Sequence, residues 1–159
     1  MEDIFGNIYS VFENLFGVNL ANYLWGYDCA TSAFTNVNLF NVIGLIAVGI
    51  SLFFVLTYYY GIRHPRFTGW GSWLIVMGIV GIINLFIGYG WTVNDLLNGK
   101  IGNCLVYIFD QDGQVISTQI ETFHCWMFGF VNLLFSIVLF AVFSFVFKWG
   151  SKHAKYSPF

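Results

Sequence analysis

The chain has 159 residues, 58% of them hydrophobic, 21% aromatic and only 9% charged, with a formal net charge of −2. Soluble domains carry about 25% charged residues because their surfaces face water, so this composition excludes an ordinary soluble domain. No basic stripe suits nucleic acid, and no nucleophile with a partner base or glycine-rich phosphate loop points to an enzyme.

The chain opens Met1-Glu2-Asp3, and its first arginine is Arg63. A signal peptide needs a basic start and an organellar presequence is Arg-rich, so the encoded N-terminus is expected to be the mature one. Asp3 to Phe16 reads as an amphipathic helix. Ile4, Phe5, Ile8, Tyr9, Phe12, Leu15 and Phe16 recur at spacings of three and four, opposite Asp3, Asn7, Ser10, Glu13 and Asn14. Gly17 is a natural stop. The helix is too short to span. Its polar face is acidic where interfacial helices usually carry Lys and Arg, so packing on a partner protein and lying on lipid are equal alternatives. Leu20 to Asn38 reads as an aromatic linker, which closes a first outer segment, residues 1–38.

Three runs lack any ionisable side chain: Leu39–Tyr60, Trp70–Trp91 and Trp126–Phe147, each 22 residues. About 20 apolar residues cross the hydrocarbon core as a helix, and a helix satisfies its own backbone in lipid. The runs are apolar all round and do not alternate. The expectation is therefore an all-α integral membrane protein with three transmembrane helices, the first two forming a hairpin over residues 39–91. Trp70, Trp91, Trp126 and Tyr58-Tyr59-Tyr60 sit at the span ends as interfacial anchors. Between spans two and three, residues 92–125 contain the one strand-like signal. Cys104–Phe109 and Gln114–Ile120 flank Asp110-Gln111-Asp112-Gly113, which reads as a small β-hairpin in the outer loop. Asp110-x-Asp112 with Glu121 faintly resembles a calcium loop but lacks its other ligands. Neither this turn nor His124 beside Cys125 is read as a metal site, and no cofactor is expected.

Charge sorts by side. The segments 1–38 and 92–125 hold all eight acids and one base, Lys100, whereas 61–69 and the tail 148–159 hold no acid and five bases: Arg63, Arg66, Lys148, Lys152 and Lys155. The positive-inside rule then places the N-terminus outside, on a periplasmic or intermembrane-space side, and the C-terminus on the cytoplasmic or matrix side. All three cysteines, Cys29, Cys104 and Cys125, fall on the outer side, where one disulfide is expected. Both Cys29–Cys104 and Cys104–Cys125 are open.

Within the spans, Gly78, Gly81 and Gly88 share one face of span two, a packing device. Asn84 and Asn132 lie at similar depth, so they are expected to bond each other or a neighbouring subunit, with local backbone bonding as the alternative. Span two is expected to be the central helix, and span three, rich in Phe, to meet lipid or large partner side chains. The absence of ionisable residues argues against a pump or coupled transporter. The function expected is a non-enzymatic membrane-embedded structural subunit of a larger membrane assembly, such as an envelope secretion or injection apparatus or an accessory subunit of an energy-converting complex. Its partners would be lipids and other membrane subunits or further copies of itself, with the Ile4–Phe16 stripe as partner-binding surface. The rivals are a small oligomeric channel and an immunity-type protein that binds an extracytoplasmic toxin.

Overall fold

A computed structural model describes residues 4–61 and 69–149. Glu2, Asp3, Arg63, Arg66, Lys152 and Lys155, which enter the charge argument, lie outside the described residues. In chain order the elements are helices α1 (Ile4–Ser10), α2 (Glu13–Phe16) and α3 (Val18–Trp25), strands β1 (Tyr27–Asp28) and β2 (Ala33–Phe34), helix α4 (Leu39–Leu56) running into a π-helical turn (Thr57–Gly61), and helix α5 (Trp70–Leu97). A short helix α6 (Asn103–Val106), strands β3 (Tyr107–Phe109) and β4 (Val115–Thr118), and helix α7 (Thr122–Lys148) complete the chain.

Each run read as a span is a helix long and apolar enough to cross a membrane: Leu39–Gly61, Trp70–Leu97 and Thr122–Lys148. At 1.5 Å per residue, the 28 residues of α5 reach about 42 Å, past the roughly 30 Å hydrocarbon core. Its polar last turn thus clears the apolar zone. The starts are set by side chains. Asn38 accepts from the Asn41 N–H at the head of α4. Glu121 and His124 form a reciprocal capping box at the head of α7, with His124 Nδ1 accepting from the Glu121 N–H at 3.0 Å. These caps give Glu121 and His124 a structural task.

The central helix is α7, not α5 as expected. Cys125, Gly129, Asn132, Ser136, Phe140 and Ser144 are buried along one side of α7, at successive spacings of four, three, four, four and four. Small and weakly polar side chains let helices approach closely, and both α4 and α5 pack more extensively on α7 than on each other. The exposed residues Phe130, Val138, Val142, Phe145 and Val146 occupy its other faces. Two cores result. One lies toward the cap end, where the N-terminal helices and both hairpins gather, and contains Phe16, Leu24, Phe40 and Phe128. The other lies toward the opposite end around Val55, Tyr59, Trp73 and Phe140.

The N-terminal segment also departs from expectation. It is two helices instead of one, because the backbone turns at Val11–Phe12, with the Phe12 N–H donating to Tyr9 O and the Leu15 N–H to Phe12 O. The turn lets Tyr9 and Phe16 both face inward, each at most 1% exposed. Gly17 stops α2 at φ 89°, as its position suggested. The segment read as a linker restarts as α3, whose Leu20, Ala21 and Leu24 are buried. α1 contains no charged residue, and it lies against the spans instead of above them. Phe5 sits over Gly44 and meets Phe135 edge-on with ring centroids 6.1 Å apart. Phe135 is thirteen residues into α7, about 20 Å along the helix.

Candidate functional site: an inner seam and an exposed outer hairpin

The seam between α5 and α7 is built by glycine and closed by amides. A Cβ on Gly88 would stand 3.2 Å from Asn132 Cβ, one on Gly81 3.3 Å from Leu133 Cγ, and one on Gly129 2.8 Å from the Leu85 carbonyl oxygen. Gly78 differs: nothing lies within 4 Å of where its Cβ would be. It does not belong to the intrachain seam, because the helices meet over the Gly81–Gly88 side and Gly78 faces away.

The two asparagines play unequal parts. Asn132 Nδ2 donates to the Asn84 backbone oxygen at 2.7 Å, and Asn132 Oδ1 accepts from the Tyr9 hydroxyl at 2.5 Å. Asn84 Nδ2 donates locally to Val80 O at 2.9 Å, and its Oδ1 has no partner among the described residues. The expected bond between the two side chains is therefore absent. Asn132 instead ties three elements together: α7, α5 and, through Tyr9, α1. The sequence puts Tyr9 on the apolar stripe but not its bond to Asn132, because it offers that stripe to lipid or a partner protein and not to the chain's own helices. At the far end Trp73 Nε1 donates to Ser144 Oγ at 3.1 Å, a second polar tie across the same pair of helices.

At the cap end the sequence reading also missed Asp95. Its carboxylate is buried, pairs with Lys100 Nζ at 2.9 Å and accepts from the Tyr23 hydroxyl at 2.9 Å. Burial, and secondarily the hydrogen bond and charge of Asp95, push the Tyr23 hydroxyl pKa up, so it remains a neutral donor. The signal available was a lone acid one turn past an aromatic belt, which needs a partner if buried. Cys29 and Cys104 form a disulfide that ties the loop after β1 to α6, and Cys125 is a buried free thiol. Gly102 makes room for the bridge, since a side chain there would collide with Cys29 Sγ.

The partner-binding stripe read from the sequence divides. Phe16 is fully buried and Phe5 packs on the spans, so neither is offered to a partner, while Ile4, Ile8 and Phe12 remain exposed. Ile8 and Phe12 line an apolar groove of about 330 Å³ against Val131, Leu134 and Val138 of α7. The β3–β4 hairpin is more conspicuous. Cys104–Val106, expected as strand, is helical because Leu105 and Val106 turn into the cap core. The remaining strands pair antiparallel with a bulge at Ile108/Phe109. Every residue of β3 and β4 is exposed, including Tyr107, Ile108, Phe109, Val115 and Ile116. The hairpin does not pack on the N-terminal segment beyond its base, where Asn19 Nδ2 donates to Gln119 Oε1 at 2.7 Å.

The three apolar helices are consistent with a multi-pass integral membrane protein. Comparison with protein-family models, curated proteins and solved structures returns no match.

Proposed function

We propose that this chain is a non-enzymatic structural subunit of a larger membrane assembly, embedded by α4, α5 and α7 and docking a neighbouring protein through the β3–β4 hairpin on the outer side. The observation that carries the reading is the hairpin itself. A two-stranded hairpin is marginal in water, and this one exposes five large apolar side chains, Tyr107, Ile108, Phe109, Val115 and Ile116, with no third strand on either edge among the described residues. An exposed edge is a ready site for strand addition from another chain. Asp110 and Asp112 at its turn oppose burial of the tip in lipid. The outer placement rests on the one-sided basic residues. The rival pore reading is the weaker one, because Asn84, Asn132, Ser136 and Ser144 are all buried within the chain and leave no polar stripe on an outer face.

A photo-crosslinking residue at Ile116, in native membranes, tests the docking. The expected result is one discrete protein adduct that disappears with Ile108→Asp. Lipid adducts alone would show a hairpin resting on the leaflet and would overturn the reading. For orientation, an impermeant thiol reagent on intact cells should label a cysteine at Asp112 and not one at Ser151. The reverse pattern would invert the topology.

A further inference from the structure

A second feature of the cap lies apart from the β3–β4 hairpin and does not depend on the docking reading. A cleft of about 490 Å³ opens between the start of α2, the end of α3 and the β1–β2 hairpin, lined by Glu13, Asn22, Trp25, Phe34, Asn36 and Asn38. We propose that this cleft binds an uncharged saccharide.

The lining chemistry selects the ligand. Two of the six residues are aromatic and three are amides; the sixth is a carboxylate with no ion pair among the described residues. A sugar ring has a face of C–H groups and an edge of hydroxyls. The negative face of an aromatic ring suits the C–H face. Hydroxyls donate and accept at once, and side-chain amides do the same, while a carboxylate accepts from hydroxyls. A phosphate or other anion is disfavoured, because no Lys or Arg lines the cleft and Glu13 would repel it. An organic cation could use the rings and Glu13, but the amide N–H groups would then face a positive charge. A neutral polyol uses both rings, the Asn22 and Asn36 amides and the Glu13 carboxylate, while Asn38 Oδ1 is engaged in the α4 cap. The volume lies within the usual range for small-molecule sites.

The walls are held in place. Gly26 ends α3 at φ 90°, in the left-handed region, and a side chain there would collide with the Asn36 carbonyl. The Asn36 N–H closes the loop by donating to Gly26 O at 3.0 Å. Asp28 braces the hairpin turn by accepting from the Ala30 N–H at 3.0 Å and from Thr31 Oγ1 at 3.2 Å. The Cys29–Cys104 disulfide anchors the same hairpin to α6. Trp25 is fixed edge-on against Phe40, ring centroids 5.5 Å apart. Phe34, by contrast, is 61% exposed. Tyr27 meets it edge-to-face across the strand pair, ring centroids 5.3 Å apart, and the rest of the ring stands in water on a braced hairpin, available to a ligand.

The test uses the full chain in nanodiscs or a non-glycosidic detergent, since a maltoside would itself occupy the cleft. Cellobiose, maltose and chitobiose are titrated, with saturation-transfer NMR as readout. At least one should bind saturably. Phe34→Ala should weaken that binding about two- to tenfold, the share of one aromatic contact, and Glu13→Gln should also weaken it. Phe34 is exposed enough that its loss leaves the fold intact. Phe109→Ala, on the other hairpin, should leave binding unchanged. No saturable signal from any of the three sugars overturns the proposal. Saturable binding of tetramethylammonium that Phe34→Ala abolishes, with no sugar signal, overturns it in favour of a cation site.

Discussion

Replacing Asn132 with leucine tests the packing most directly, because the structure assigns that side chain two bonds and assigns Asn84 almost none that matters between helices. Asn132→Leu keeps the side chain near its size, so the cost is electrostatic. It removes the donor to the Asn84 backbone oxygen and the acceptor for Tyr9. Interhelical bonds in membranes are worth about 0.6 kcal/mol and up to ~1.7. The stranded Tyr9 hydroxyl, 1% exposed, adds about 1–3 kcal/mol for an unmet buried donor. The total is about 2–4 kcal/mol. Tyr9→Phe should cost about 1–2 kcal/mol, since it strands the amide oxygen of Asn132. The double variant leaves neither group stranded, so it should be milder than the sum by about 1 kcal/mol or more. Asn84→Leu retains the backbone oxygen and deletes a buried acceptor that has no partner; it should be neutral or stabilising. The assay is reversible unfolding in mixed micelles of increasing sodium dodecyl sulfate fraction, followed by far-ultraviolet circular dichroism. Additive losses for Tyr9→Phe and Asn132→Leu, or a larger loss from Asn84→Leu than from Asn132→Leu, would refute the reasoning.

Other expectations follow from single positions. Gly129→Ala should destabilise strongly in the same assay, since its methyl would stand 2.8 Å from the Leu85 carbonyl, whereas Gly78→Ala, with open space, should stabilise by up to about 1 kcal/mol through better helix propensity. Lys100→Met leaves the buried Asp95 carboxylate without its cation; because Lys100 is 61% exposed the loss should be about 1 kcal/mol, and Asp95→Asn with Lys100→Met should recover part of it. The raised Tyr23 pKa means the folded cap holds that proton more tightly than the unfolded chain, so its contribution is complete below the ordinary tyrosine value of 10.0 and declines above it; cap unfolding should advance on titration above pH 10.0, and Tyr23→Phe should blunt that advance. Reduction of Cys29–Cys104 opens a loop of sequence separation 75, for which the chain-entropy limit is about 4 kcal/mol. That limit assumes a free coil, and α4 and α5 stay helical in a bilayer, so the observed loss should be smaller and confined to faster hydrogen exchange in the cap.

The three long helices are legible because a run of 22 residues without charge has one economical solution in lipid, and each helix contains its run, with α5 extending past it to Leu97. The packing order is not, for a chemical reason. Glycine is the visible mark of a close seam in the sequence, and it does mark the α5 side, at Gly81 and Gly88. On α7 the same task falls to Cys125, Ser136 and Ser144 beside Gly129, small polar side chains hidden among phenylalanines. The N-terminal helix was misplaced because its amphipathic spacing suits both an interface and a protein groove. Only the distant partners Gly44, Asn132 and Phe135 decide between them, and local sequence does not encode those contacts. Likewise the disulfide pair was open on spacing alone, since the cap fold determines which cysteine reaches Cys104.

The arrangement couples the β3–β4 hairpin to the buried seam through a short covalent path. β4 ends at Thr118, Gln119 bonds back to Val106 O and across to Asn19, Ile120 is buried, and α7 starts at Thr122. Any load on the hairpin is therefore passed within a few residues to the helix that both other spans pack against. The same helix holds α1 through Asn132 and Tyr9, so α1 cannot leave the bundle without breaking that bond and lifting Phe5 off Gly44. These ties make α7 the element through which the β3–β4 hairpin, α1 and the other two long helices are joined.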